Sequence, residues 1–196
     1  MADHLAHAGA DGRAGLLRPM AWTSEALIEP EVRRAIAGEL ATDLHVRYAY
    51  VDIGGYHLSL RTYERGVPGP TLRAQPGDTL RIRLYNDLPP NRDPEPANMD
   101  LPHHFNTTNL HAHGLHVSPA GDADNIFRTM EAGQAYDVVI EIPDDHPAGT
   151  FWYHPHHHGS ADVQISSGMA GALIIAGDFA AVPEIAAARE RVMIVN

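Results

Sequence analysis

The sequence predicts an all-β domain, a sandwich or barrel with short peripheral helices. Short segments of alternating apolar and polar residues are separated by turn signals roughly every 8–12 residues, a pattern typical of these folds. Residues 79–85 alternate most clearly, because Leu80, Ile82 and Leu84 point to one face. The chain of 196 residues is 44% hydrophobic, enough for one buried core with extensions, and its 17 glycines and 15 prolines supply turns.

The first predicted element is a short helix at residues 29–40. Pro30 suits the first turn of a helix, and Val32, Ile36 and Leu40 recur every four residues. This spacing places the three apolar side chains on one face of a helix.

Strands are predicted from near Leu44 onward. A hairpin is expected between residues 45–50 and 56–63, because the sequence Asp-Ile-Gly-Gly at 52–55 reads as a turn. Residues 86–106 are rich in Pro, Asn and Asp and predict a long loop, which in a compact domain is usually functional. The other strands are expected at residues 71–75, 79–85, 109–113, 135–142, 150–154 and 170–176, and a helical segment is expected at residues 183–190.

These elements divide the chain into three regions. Residues 1–42 are expected to form an N-terminal extension with the short helix, flexible as far as residue 22 because that part is rich in Ala, Gly and Asp. Residues 43–178 hold the β-domain. Residues 179–196 are expected to be a linker and the start of a following domain, since residues 191–196 read as the beginning of an apolar strand.

Composition narrows the functional classes. The net charge of −11 disfavours nucleic acid as a partner, because phosphate binding requires clustered Lys and Arg. No run reaches the ~18–20 apolar residues of a membrane span, and the N-terminus lacks the apolar region of a signal peptide. The chain has no cysteine, so disulfides and thiolate metal sites within it are excluded. Its 14 histidines indicate imidazole ligands, which suit copper, zinc, iron or nickel.

Two histidine pairs carry the strongest functional signal. His111 and His113 form one pair, His154 and His156 the other, each at spacing i, i+2. On a strand, side chains at this spacing leave the same face roughly 6.5–7 Å apart. Such a pair can chelate one metal ion or hold two ions of a close cluster. The two pairs, each beside aromatic or glycine residues, predict two strands facing one polynuclear metal site rather than histidine-rich turns.

Other residues near these pairs are expected to have lesser roles. His116 is an odd offset from His113 and is therefore expected not to be a ligand, whereas His158 keeps the i, i+2 spacing with His156 and stays an alternative ligand. The remaining candidates are expected to shape the loop or pack the core: His103, His104, Trp152, Tyr153 and Met169.

Four stretches carry a family resemblance. They are Pro68-Gly69-Pro70-Thr71 followed by Gly77-Asp78, Asn109-Leu110-His111-Ala112-His113-Gly114, Gly149-Thr150-Phe151-Trp152-Tyr153-His154-Pro155-His156, and Gly168-Met169-Ala170-Gly171-Ala172-Leu173-Ile174. In this order and spacing, over about residues 44–178, the chain resembles the N-terminal cupredoxin domain of the multicopper oxidases, which include the laccases and bilirubin oxidases. The resemblance implies a Greek-key β-sandwich or barrel of the cupredoxin (plastocyanin-like) type.

The resemblance also implies roles for individual residues. It assigns His111 to a type 2 copper and His113, His154 and His156 to type 3 coppers, which is half of the histidine set of a trinuclear cluster. It implies O2 as acceptor, and phenols, aromatic amines or metal ions as reducing substrates that bind through a C-terminal domain. That domain carries the type 1 copper, whose cysteine has no counterpart here. Asp124 lies where the family tends to place a carboxylate for proton delivery, and Asp122 is its rival.

Three functional hypotheses follow. The first is the N-terminal portion of a laccase-like oxidase, inactive as an oxidase alone. The second is a stand-alone copper-binding module, or a subunit whose site is completed by a partner chain. The third, a zinc or iron hydrolase, needs carboxylates among the ligands. The resemblance implies a periplasmic or extracellular location, against which stands the missing signal peptide. The reducing substrate and the oligomeric state are not specified by these residues.

Overall fold

The computed structural model describes residues 28–99, 101–177 and 181–195. Most of the regular structure is β-strand, and the helices are short. The elements are β1 (Val32–Arg34), β2 (Glu39–Ile53), β3 (Tyr56–Tyr63), β4 (Thr71–Ala74), β5 (Thr79–Asn86), β6 (His111–His113), β7 (Ala135–Glu141), β8 (Gly149–His154), α1 (Ala161–Ser166), β9 (Gly171–Ile175) and α2 (Pro183–Ala186).

The strands form two sheets, and only one of them carries the histidine pairs. The first sheet has the order β3-β2-β5-β7, in which β2 and β3 make the predicted hairpin and β2 runs parallel to β5. The second has the order β1-β4-β9-β8-β6. Strand β6 lies at the edge of this sheet, and it pairs antiparallel with β8. This mixed two-sheet arrangement is the β-sandwich that the sequence predicts.

The core lies between the two sheets. Alternate residues of β5, namely Leu80, Ile82 and Leu84, are buried as the alternation predicts. They join Leu72 of β4 and Leu173 of β9, which are also fully buried. Complete burial of such an aliphatic side chain contributes about 1.5–3 kcal/mol, so the sheets provide a stable support for the short strand β6.

Tyr153 anchors β8 in this core. Its ring is 1% exposed, and its hydroxyl donates a hydrogen bond to the carbonyl of Pro70 at 2.7 Å. The ring lies against the backbone of Gly171, where an added Cβ would come within 2.1 Å of the Tyr153 Cζ atom. The neighbouring strand therefore requires glycine at this position.

The helix predicted at residues 29–40 is wrong. Val32–Arg34 pairs in parallel with β4, and β2 already begins at Glu39 beside Thr79 of β5. The spacing of four residues did not distinguish a helix from a strand, because an even offset also keeps side chains on one face of a strand. Part of the predicted extension thus belongs to the sheets.

The C-terminal part is less regular than predicted. The helix at 183–190 shortens to Pro183–Ala186, and residues 191–195 form no strand in the described part of the chain. Residues 1–22, predicted to be flexible, lie outside the described residues. None of the helices in the described segments has the length and apolar character to cross a membrane. The division into extension, domain and following domain stays a prediction.

The helix α1 is absent from the sequence prediction. Residues 161–166 follow the second histidine motif and fold back on the segment before β6. Gln164 of this helix is fully buried and donates hydrogen bonds to the carbonyls of Phe105 and Thr107 at 3.0 and 2.8 Å. Its side chain therefore fastens the end of the long predicted loop to the histidine region.

Candidate metal centre

Strands β6 and β8 bring the two histidine pairs together. His111 lies directly opposite His154 and His113 opposite Trp152, while the small buried Ala112 lies opposite Tyr153. Because residues two apart share a face, His111, His113, Trp152 and His154 all project from one side of this strand pair. The strand that carries the first pair and the strand that carries His154 are therefore neighbours, as the sequence predicts.

Three histidines converge closely enough to bind one ion. The ligand nitrogens of His111, His113 and His154 lie within 4.8 Å of one another. The closest approach is between Nδ1 of His113 and Nε2 of His154, at 3.1 Å. Two nitrogens bound about 2.0–2.1 Å from one tetrahedral ion lie roughly 3.3 Å apart, so this pair is already close to a chelating distance.

His156 lies next to this group but is not a member of it. Strand β8 ends at His154, because Pro155 has no N–H to continue the ladder. The prediction that His154 and His156 lie on the same face of one strand is therefore wrong, because His156 lies beyond the end of β8. The ring centroid of His156 is nevertheless 5.1 Å from that of His111, and 6.0 Å from that of His154.

Hydrogen bonds to the backbone and to Asp124 assign the tautomers of two histidines. Nδ1 of His111 lies 3.0 Å from both carboxylate oxygens of Asp124, and Nδ1 of His154 lies 2.8 Å from the carbonyl of Pro155. Both Nδ1 atoms act as donors to these oxygens, which leaves Nε2 of each ring as the nitrogen with the lone pair, and that of His154 lies 3.1 Å from Nδ1 of His113. Metal-binding histidines in proteins usually have their second nitrogen fixed in this way.

Asp124 is held in place for this contact. It is 9% exposed, and its Oδ1 accepts a hydrogen bond from the backbone N–H of Ala112 at 2.8 Å. Asp122 has a different setting, because its largely exposed side chain pairs with Arg128 at 3.0 Å. Of the two predicted carboxylates, only Asp124 contacts a histidine of the site.

Burial keeps His154 neutral. Its pKa is lowered to about 4, mainly because desolvation penalises the imidazolium, with repulsion from His111, His113 and His156 acting in the same direction. The neutral imidazole is the form that binds metals. His154 is therefore ready to act as a ligand at neutral pH.

Trp152 packs between two of the candidate ligands. Its ring stacks on His154 with a centroid distance of 3.9 Å and on His113 at 5.1 Å. This confirms the predicted packing role of Trp152. It also restrains His113, whose side chain is otherwise exposed.

Several further histidines lie near the two motifs. The backbone N–H of His116 donates to Nε2 of His146 at 2.9 Å, and His158 has its ring centroid 6.5 Å from that of His156. His103 and His104 form an edge-to-face pair within the loop before β6. Met169 is fully buried in the core, as predicted.

A cavity of about 420 Å³ lies beside the candidate metal centre. It is bordered by His154 and His156 on one side and by Met99, Asp162 and Ile165 on the other. Of the three converging histidines, His154 alone lines this cavity, together with the adjacent His156.

Asn109 is a site residue that the sequence argument missed. It is fully buried and contacts the backbone of both His156 and Ile126. A polar residue two positions before a candidate ligand, in a segment predicted to be a short strand, was the available signal. Its partners are distant in sequence, so its role was not readable from local pattern.

The donor set fits copper. The described residues bring together three imidazoles, with a fourth adjacent, and the chain has no thiolate. Imidazole binds copper in both of its common oxidation states, and a buried carboxylate behind one ligand supports such a centre.

A two-sheet β-sandwich with histidines from two neighbouring strands at one end defines a cupredoxin-type domain with a candidate metal site. Residues 101–178 match the family model described as multicopper oxidase. The chain carries a domain of the multicopper oxidase family.

Known relatives agree with this family. Laccase-1 of Thanatephorus cucumeris is 30% identical over 140 residues, which is 70% of this chain and 20% of that protein. Copper resistance protein A of Escherichia coli is 27% identical over 168 residues, covering 84% of this chain and 24% of that protein. The chain thus spans about a fifth to a quarter of the length of these relatives.

A solved structure shows the same likeness. The multicopper oxidase from Campylobacter jejuni, described as a metallo-oxidase, superposes with a TM-score of 0.57 at 29% identity. The match covers 76% of this chain and 30% of that one. The chain therefore shares the fold of part of that multicopper oxidase.

Proposed function

We propose that this chain is the N-terminal domain of a laccase-like multicopper oxidase and supplies half of the histidines of a trinuclear copper cluster. His111 serves the type 2 copper, and His113, His154 and His156 serve the type 3 coppers. The observation that carries the proposal is the convergence of the His111, His113 and His154 nitrogens within 4.8 Å. Copper, when bound, supplies the one-electron chemistry by which multicopper oxidases reduce O2 with electrons from a reducing substrate.

The residues of this chain hold and orient the ligands. Asp124 and the Pro155 carbonyl fix Nδ1 of His111 and His154, so that both present Nε2. The indole ring of Trp152 stacks on the ring of His113 and on the ring of His154, and so restrains both. Reduction of O2 to water consumes protons, and the carboxylate of Asp124, in contact with His111, is placed to hold one.

The other ligands come from a second domain or a partner chain. His113 is exposed at the end of the sheet, and the adjacent cavity opens beside His154 and His156. We propose that this open face is closed by another copper-binding domain, which also receives electrons from phenols, aromatic amines or metal ions. The site then works outside the cytoplasm, where such oxidases meet copper.

The first test is copper binding by the 196-residue chain. Copper content after gel filtration, together with EPR, is compared between wild type and the double variant His111→Ala/His154→Ala. Copper bound by the wild type and lost in the variant supports the proposal. The matched control is His45→Ala/His57→Ala, which removes two histidines paired with Asp87 and Asp52 in the other sheet.

Oxidase activity tests the second half of the proposal. The isolated, copper-loaded chain is expected not to oxidise a phenol under steady-state conditions, because it provides only half of a cluster. Sustained turnover by this chain would contradict that. A wild-type chain that binds no more copper than the double variant would contradict the ligand assignment itself.

The second candidate function is a copper-binding module or subunit without oxidase activity of its own. The observation that favours it is the chelating distance of 3.1 Å between His113 Nδ1 and His154 Nε2. Copper binding with formation of a defined oligomer would indicate a site completed between copies.

A further inference from the structure

Asn109 joins three segments of the candidate copper site. It is 0% exposed and lies two residues before His111. Its side-chain oxygen accepts a hydrogen bond from the backbone N–H of His156 at 2.6 Å. Its side-chain nitrogen donates to the carbonyl of Ile126 at 2.6 Å, two residues beyond Asp124.

The bond to His156 continues the pairing of β6 and β8 where the ladder stops. The last backbone pair of these strands is His111 with His154, and Pro155 has no N–H to donate. The next N–H along the chain, that of His156, is bonded by the Asn109 side chain instead of a strand. The position of His156 relative to His111 is thus set by one amide.

The bond to Ile126 acts on the other side of the same ligand. Residues 118–127 form no strand, and they carry the Asp124 carboxylate that contacts Nδ1 of His111. Asn109 fastens this loop two residues after Asp124. A side chain that both donates and accepts is needed, because one partner is an N–H and the other a carbonyl.

We propose that Asn109 is a positioning residue for the copper ligands, which acts chiefly by setting the place of His156 beside His111. This inference rests on the proposed function, because it assumes that His156 binds copper. Loss of the amide removes the partner of the partly buried His156 N–H and Ile126 carbonyl, and both segments are then free to shift. Supporting contacts of this kind change metal affinity by roughly 10–100-fold.

The test is a double-mutant cycle on copper affinity, measured by competition with a chelator of known affinity. Asn109→Ser is expected to weaken Cu(II) binding by about 10-fold in the wild-type background, because the hydroxyl is a single group one bond closer to the backbone and cannot bridge both partners of the amide. In the His156→Ala background it is expected to have almost no further effect, because the ligand through which it acts is gone. In the His113→Ala background the effect of Asn109→Ser should persist.

Asn86→Ser is the matched control. Asn86 is a buried asparagine whose amide also bridges backbone segments, with bonds to the carbonyls of Asn106 and Met130 and to the N–H of Leu88. It contacts neither histidine motif, so its loss should lower the melting temperature without changing copper affinity. If Asn109→Ser does not fold, as judged by circular dichroism, Asn109→Thr replaces it in the cycle.

The outcomes separate the two proposals. A wild-type chain without specific copper binding overturns the proposed function and this inference with it. Copper binding by the wild type that is unchanged in the Asn109 variant overturns the inference alone. An equal effect of Asn109→Ser in the presence and absence of His156 also overturns it, because it would show a general structural role.

Discussion

Replacement of Asp124 by asparagine tests how the copper site is prepared. The carboxylate accepts hydrogen bonds from Nδ1 of His111 and from the backbone N–H of Ala112. In Asp124→Asn the amide oxygen can serve Ala112, and the amide NH2 then faces Nδ1 of His111. This arrangement favours the His111 tautomer with hydrogen on Nε2, the nitrogen that must be free for the metal.

The expected loss is 10–100-fold in Cu(II) affinity, which corresponds to about 1.4–2.7 kcal/mol. Affinity is measured at pH 7 by chelator competition on the purified chain. Asp122→Asn is the control, since Asp122 pairs with Arg128 in an exposed position and should leave affinity unchanged. Equal affinity in Asp124→Asn and wild type would refute the argument that the carboxylate orients His111.

Three further predictions follow from the same contacts. The metal-free chain should lose stability as the pH falls from about 6.5 towards 4. In this range His154 becomes protonated in the unfolded chain but stays neutral in the folded chain, where its pKa is about 4. The loss from His154 is at most about 3 kcal/mol, and urea titrations should show it reduced in His154→Gln. Binding of Cu(II) should quench the fluorescence of Trp152, which stacks on two ligands; Trp152→Phe should abolish that quenching, and an unaltered signal would place copper elsewhere. Gln164→Leu should destabilise the chain by about 1–3 kcal/mol, because it removes the bonds to the carbonyls of Phe105 and Thr107 and takes away the amide oxygen to which the buried Thr108 hydroxyl donates; a melting temperature equal to wild type would argue against this fastening role.

The strands and the histidine cluster could be predicted because their signals are local. Alternation along β5 reports which side chains are buried, and the spacing of His111 and His113 reports a shared face. The same kind of signal failed at residues 29–40, where a spacing of four residues fits either a helix or a strand. Pairing with β4 and β5, which is non-local, decided that segment.

The supporting contacts could not be predicted because they depend on residues far apart in sequence. Asn109 and His156 meet only after β6 and β8 have paired, and Gln164 reaches Thr107 only after α1 has folded back. The resemblance indicated Asp124 as the carboxylate for proton delivery, with Asp122 as its rival. The structure favours Asp124, because its side chain is buried and contacts His111. The roles of the four histidines at particular coppers stay predictions.

The position of β6 has a consequence for the behaviour of the protein without metal. This strand is three residues long, has β8 as its one neighbour among the described strands, and is followed by Gly114, whose φ of 90° closes the extended segment. A short strand at the edge of a sheet separates locally from its neighbour at a low free-energy cost. A metal ion bound by His113 and His154 would cross-link β6 and β8 on the face that these two side chains share. Amide hydrogens of β6 should therefore exchange quickly in the metal-free chain and slowly once copper is bound, so the ion acts as part of the sheet's own architecture.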